Sequence, residues 1–336
     1  MASPSVNSVP PRLVTLVALA VVVRVVMVFV IPPLVDVYYY DSQAVSALVT
    51  GVDPYGHLYS RIPSWLATEG AQRVYAYLPG VVLFLAPFGA FLDIRLGLVA
   101  ADVMVAWSLF ALGGRKSRAA ALAFFLAPWA FLFSTSYANN TLVAMAFFGV
   151  FLVAEVRGRM LLASLSLGVS LASSQFVWLV FPFLLVRYVR ERRLGYAVAS
   201  LAVAALILLP FALWDYGSFV YDTVVFQFAR PVQGLVTPEA FGLNFNPTLS
   251  GLASTAAGVS VPLLIRVVLA AAALGALLFK TRDLRGLLLN ASAFILVAIF
   301  LLADDFSWWY LELPFQVLLA ALAFDRGGGS ASHANA

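Results

Sequence analysis

The sequence predicts an all-α, polytopic transmembrane helix bundle of about ten spans plus one interfacial or re-entrant helix. Three observations predict it. Hydrophobic residues make up 63% of the chain and charged residues only 11%, against about 25% charged in an average globular chain. Mean hydropathy is +0.97, which is more apolar surface than a water-soluble fold of 336 residues can hide and which a bilayer solvates directly. Basic residues also fall in short clusters between apolar runs, the charge pattern of loops on one side of a membrane.

In chain order the apolar runs cover residues 13–35, 96–112, 119–133, 141–156, 160–172, 176–186, 194–214, 259–279, 286–302 and 310–324. About 20 residues span a bilayer comfortably, so runs 160–172 and 176–186 form a short hairpin. The first run passes from Leu13 to Val35 with no small-residue cleavage site and reads as a span, not a signal peptide. Arg12, the cluster Arg115, Lys116 and Arg118, then Arg157, Arg159, Arg187, Arg190, Arg192, Arg193, Lys280, Arg282, Arg285 and Arg326 fall on one side. By the positive-inside rule that side is cytoplasmic, which predicts a multi-pass protein of the cell membrane with both termini cytoplasmic. The opposite loops hold Asp36, Asp41, Asp53, Glu69, Asp93, Asp215, Asp222, Glu239, Asp304 and Asp305, with Arg61, Arg73, Arg95 and Arg230 as their cations. Parity then requires that residues 77–92 do not cross, and they are expected to lie as an interfacial or re-entrant helix on the outer side. No polar stretch is long enough for a separate soluble domain. Residues 1–325 are therefore one membrane-embedded domain, and the Gly- and Ser-rich residues 326–336 a flexible tail.

Several function classes fall away at once. The chain has no cysteine, hence no disulfide framework, thiol nucleophile or thiolate metal site. Its two histidines, His57 and His333, cannot form a histidine metal cluster. The net charge of +4 is accounted for by the topological clusters, so nucleic acid is not an expected partner.

Two external loops, residues 36–76 and 215–255, are far longer than a tether needs, and long loops concentrate function. The plain alternative is that both are amphipathic packing segments. The first opens with Asp36, and Asp36, Tyr40 and Ala44 recur at four-residue spacing and share one helix face. Gly51, Pro54, Tyr55 and Gly56 then mark the turn that ends this helix, and Tyr75, Tyr77, Pro79 and Gly80 begin the interfacial run.

This order of motifs resembles the C-type (GT-C) glycosyltransferases, polytopic enzymes that use polyprenyl-phosphate sugars on the external face. The likeness is greatest to the polyprenol-phosphate-mannose mannosyltransferases, including the GPI mannosyltransferase type. It comprises a first span, an Asp followed at four-residue steps by Tyr and Ala, a Gly-x-x-Pro-Tyr turn, and a Tyr-x-x-Pro start to the next segment. Recognisable likeness covers residues 13–190; beyond them only the alternation of spans and loops agrees.

The resemblance implies a GT-C-like fold and transfer of a hexose, mannose favoured, from a polyprenyl-phosphate donor to a glycan, lipid or protein acceptor among membrane lipids. Asp36 matches the family's catalytic aspartate by position. An acceptor hydroxyl loses its proton as it attacks the anomeric carbon, and a carboxylate within reach can take it. Asp41 is the alternative, either as base or as a partner that positions the acceptor or a divalent cation such as Mg²⁺ or Mn²⁺. The ordinary reading of Asp36 is a helix-terminal carboxylate, which the helix dipole favours in any case. Relatives place a lysine in the turn that here reads Ser173, Ser174, Gln175. With that cation missing, Arg230, Arg73 and Arg61 are the candidates to hold the donor phosphate through their forked donors, or else are anchors for lipid headgroups. Tyr40, Asn139, Asn140 and Gln175 are the candidate sugar or acceptor contacts; the two asparagines also suit a turn for conformational reasons alone. Arg24, Asp102, Arg266 and Glu312 lie inside spans, where ion pairing is the expected role. Asp304 and Asp305 precede the aromatic belt of Trp308, Trp309 and Tyr310. Two other classes stay open: a transporter or lipid flippase, disfavoured by the absence of an internal repeat, and a catalytically inactive scaffold subunit.

Overall fold

The computed structural model of the chain describes residues 11–59, 63, 74–229, 246–278, 283–303 and 308–324. Every regular element among them is helical. In chain order these are α1 (Pro11–Val30), α2 (Asp36–Val49), α3 (Pro79–Gly89), α4 (Ile94–Ala111), α5 (Gly114–Phe125), α6 (Pro128–Ser134), α7 (Thr141–Val156) and α8 (Met160–Leu171). There follow α9 (Gln175–Arg190), α10 (Leu194–Trp214), α11 (Tyr216–Val220), a π-helical turn (Tyr221–Val225) and α12 (Phe226–Ala229). The chain closes with α13 (Leu249–Ala257), α14 (Leu263–Leu278), α15 (Leu284–Leu302), a 3₁₀ turn (Trp308–Leu311) and α16 (Glu312–Ala323).

The core is built where α7 packs against both α4 and α8, flanked by α3, α9, α15 and α16. Val105, Phe148, Phe151, Leu167, Leu171, Phe183, Leu288 and Val317 are all fully buried there. On the periphery the same apolar composition faces outward: Phe29, Leu206, Leu213 and Leu264 are each more than half exposed. Such faces are compatible with an apolar surrounding such as a bilayer.

The expected spans are matched in part. Three helices, α4, α10 and α15, are long and apolar enough to cross a bilayer by length and composition, and the bent pair α5–α6 would make a fourth. Six further apolar helices, among them α7, α8, α14 and α16, are shorter than that. The expected single span at 119–133 is broken, with a bend of 58°. Pro128 is the reason: it lacks an N–H and pushes the preceding residue out of the helical region, and Ala127 stands at φ −61°, ψ 134°. The 160–172 run forms α8 at 12 residues, whereas α9 runs on past the expected end to Arg190.

Other expectations hold. α7 and α10 have the predicted boundaries. α3 falls within the expected 77–92 run and is 11 residues long, about 16 Å. The first-loop helix forms, but it ends at Val49, with Gly51 at φ +76° reversing the chain before Pro54 is reached.

Candidate active site

The three sequence segments singled out in the first half of the chain fold against one another. α2 buries Val37, Tyr40, Asp41, Ala44 and Val45. The buried stripe is therefore one step wider than the Asp36–Tyr40–Ala44 row, and Asp36 sits half-buried at its outer end, in the first helical turn. No side chain caps this terminus, so a negative charge at Asp36 meets the positive end of the helix dipole. The linker before it is fixed from outside. Leu34 N–H donates to the Ser136 carbonyl at 2.7 Å. Arg95 donates to the Ile31 carbonyl at 2.7 Å and the Val28 carbonyl at 2.5 Å, satisfying orphan acceptors at the end of α1. Arg95 also pairs with Asp93 at 2.8 Å and lies over the Tyr38 ring. It is thus engaged in holding the entrance to α2.

Asp41 is fully buried. Asn140 Nδ2 donates to both of its oxygens, at 3.2 and 3.1 Å. The Tyr75 hydroxyl stands close to the same carboxyl without reaching strict hydrogen-bond geometry. Burial pushes the Asp41 pKa up to about 8, against smaller opposing effects from Asn140 and Tyr75. Asn139, the neighbouring residue, donates from Nδ2 to Glu312 Oε2 and accepts from Thr141 N–H at 3.1 Å. Two consecutive asparagines therefore hold two different buried carboxyl groups, and Ala138 before them adopts φ +46° to make the turn, a conformation that costs a residue with Cβ about 1–2 kcal/mol.

The Gly51–Gly56 turn is bound on both sides. Asp53 accepts from Tyr55 N–H at 2.9 Å, the Tyr55 hydroxyl donates to the Tyr77 carbonyl at 2.8 Å, and Gly56 N–H donates to Asp222 Oδ2 at 3.0 Å. Tyr40, Tyr55, Tyr59 and Tyr75 pack ring to ring with centroids 5.7 to 6.2 Å apart. Pro79 opens α3 at its first turn, and Gly80 lets α3 touch the end of α8: its N–H meets the Ala172 carbonyl at 2.8 Å, and an added Cβ would stand 2.7 Å from that oxygen. Gln175, in the turn that lacks a lysine, donates to the Ala76 carbonyl at 3.0 Å and the Thr223 carbonyl at 3.2 Å. It ties the second long loop to the first.

Tyr40, Asp41, Asn140 and Tyr75 thus form one cluster with Asp36 at its rim, and Gln175 stands at its second-loop side. Asn139 points into a separate contact with Glu312. Arg61, Arg73 and Arg230, the candidate phosphate ligands, lie outside the described residues, as do Asp304, Asp305 and residues 325–336. Among the described residues no group of three or more His, Asp or Glu side chains is arranged to hold a metal ion. Sequence reasoning missed the role of Asp222 and of Tyr59. Their only signal was an acid and a tyrosine inside the two long loops. No protein-family model matches the chain, and no curated protein matches it at a significant level.

The raised pKa of Asp41 makes stability pH-dependent. The folded protein binds the Asp41 proton up to about pH 8, whereas the unfolded chain releases it near 3.8. Between those values the native state holds more protons, so stability is fullest below the unfolded value and falls as pH rises through the window. Thermal unfolding of the detergent-solubilised protein should show this decline, and Asp41→Asn, which cannot ionise, should flatten it. An unchanged slope in the variant would mean that Asp41 is not the group responsible.

Proposed function

We propose that the chain is a membrane hexosyltransferase of the GT-C type, moving a sugar, mannose favoured, from a polyprenyl-phosphate donor to an acceptor hydroxyl with inversion. The observation that supports this reading most is the meeting of the motif segments: the Gly51–Gly56 turn meets the Tyr75–Gly80 segment through the Tyr55 hydroxyl and ring, and the Asp36–Ala44 row reaches that segment through the Tyr40, Tyr59 and Tyr75 rings. Asp36 is the general base. The acceptor oxygen attacks the anomeric carbon, its proton passes to the Asp36 carboxylate, and the bond from that carbon to the phosphate oxygen breaks with its electrons on the departing lipid phosphate. Asp36 suits the role because it is half-buried and reachable. Asp41 does not, because a fully buried carboxyl with a pKa of about 8 is mostly protonated at neutral pH; it braces α2 through Asn140. Arg230, Arg73 and Arg61 remain the proposed phosphate ligands. The fold is read as the full bundle of about ten crossings, the shorter helices completing theirs by flanking residues or local bilayer thinning.

The deciding experiment is transfer of radiolabelled sugar from polyprenyl-phosphate mannose by membranes containing the protein, with membranes lacking it as the control. Label in the acceptor fraction supports the assignment, and none with any polyprenyl-phosphate hexose removes it. The transporter reading draws on the charges buried within helices, but Arg24 and Asp102 are consumed by pairing with each other at 2.6 Å.

Orientation can be checked independently. Tyr216 is 71% exposed in the second long loop, and Arg159 is exposed in the basic turn between α7 and α8. Cysteine at Tyr216 should react with an impermeant maleimide in intact cells, and cysteine at Arg159 only after permeabilisation. The reverse pattern would invert the topology.

A further inference from the structure

Between the Gly51–Gly56 turn and the second long loop lies an open cavity of about 320 Å³. His57, Ser218, Tyr221 and Asp222 form its polar wall. Tyr221 and Asp222 begin the π-helical turn Tyr221–Val225. Single π turns are rare and recur at functional sites, because the wider turn re-aims side chains that a regular helix would stack. The two walls are locked together: Gly56 N–H holds Asp222 Oδ2 at 3.0 Å. Gly56 itself stands at φ +75°, and a Cβ there would lie 2.5 Å from Ser218 Oγ, so only glycine fits the turn and the contact at once.

The electrostatics of this wall are one-sided. Asp53 and Asp215 stand near Asp222, and their charges add to burial in raising its pKa. Asp53 keeps one carboxyl oxygen, Oδ2, buried and without a partner behind the turn. Among the described residues no lysine or arginine lines the cavity, and His57 supplies an ionisable nitrogen there. These carboxylates repel a phosphate placed against them and leave neutral groups unaffected. Carboxylate, imidazole and hydroxyl groups beside a half-exposed tyrosine ring instead match neutral hydroxyls, which donate to a carboxylate in strong charge-assisted bonds. The volume is at the small end for ligand sites, about 300–1,000 Å³, and suits one or two sugar rings.

We infer that this cavity receives the neutral, hydroxyl-rich acceptor, a sugar whose hydroxyls meet His57, Ser218 and Asp222 and whose ring lies on Tyr221. The inference rests on the transferase reading for the word acceptor, but the binding itself does not. The purified full-length protein would be titrated with methyl α-mannopyranoside and, separately, with mannose 1-phosphate, following saturation transfer by NMR, which needs no turnover. The mannoside should bind and the phosphorylated sugar should bind more weakly. Tyr221→Ala and Asp222→Asn should each weaken the mannoside by about tenfold or more, the loss of a contact to a charged group or a ring. The Tyr221 side chain is 49% exposed and its bonds to the Gly217 and Ser218 carbonyls come from the backbone N–H, which alanine keeps, so its variant should unfold at the wild-type temperature and keep the test clear of misfolding. No mannoside binding by the wild type, equal binding by both variants, or preference for mannose 1-phosphate would each overturn the inference. Binding lost in the variants, together with no transfer from any polyprenyl-phosphate hexose, leaves the cavity assigned and removes the transferase reading. Transfer with mannoside binding unaffected by both variants does the opposite.

Discussion

Asp36→Asn should abolish sugar transfer while leaving the protein expressed and inserted. The substitution keeps the size of the side chain and much of its hydrogen bonding but removes its basicity, and loss of a general base typically costs about 10²–10⁴-fold in rate. Were Asp36 only a helix-terminal charge at the start of α2, the same change would cost about 0.3–1 kcal/mol of stability and no turnover. Asp41→Asn should be milder, because it replaces a carboxyl that is already mostly protonated near neutral pH with an amide that can still meet Asn140. Initial rates at saturating donor, with expression matched by immunoblot, separate the two. Near-normal transfer by Asp36→Asn would end its assignment as base.

The largest expected loss of stability is at Arg24. This guanidinium is fully buried, bonded to Asp102 Oδ2 at 2.6 Å and to the Phe125 carbonyl at 2.6 Å, and it lies between the Phe125 and Phe131 rings at 4.0 and 3.8 Å. Phe125 ends α5, and Pro128 starts α6 beyond the 58° bend. Arg24 therefore satisfies a carbonyl that the broken helix leaves without an N–H, and joins α1, α4 and the bend in one contact. Arg24→Met should lower stability by about 3–5 kcal/mol, the usual cost of leaving a buried charge without its partner. Adding Asp102→Leu should recover part of that loss, since the uncompensated carboxylate goes too. Thermal unfolding in detergent measures both; a double variant no better than the single would show that Asp102 is not what makes the loss of Arg24 costly.

Much of this architecture was legible without coordinates. The ends of α7 and α10 could be read off the apolar runs because charged or turn-forming residues bound them on both sides. The break at Pro128 could have been read as well, since the proline is in the run and its effect is local. The short helices were legible too: α8 fills its apolar run but for Ala172, and α16 fills its own but for Tyr310, Leu311 and Phe324, so both are short because their runs are.

The candidate site divides along the same line. Sequence by itself determined the all-helical class with its apolar helices and the helix that carries Asp36, because hydropathy and four-residue spacing are properties of neighbouring residues. It also set Asp36 and Asp41 side by side as rival carboxylates, with nothing local to separate them. Only the tertiary structure decided that Asp41 is the buried one, held by an asparagine 99 positions away, that Asn139 turns to an acid 173 positions away, and that Gly56 clasps Asp222 across 166. Periodicity reports which face of a helix is buried, but not what it is buried against, and the partners of a polar group in a low-dielectric interior fix both its charge state and what it can do.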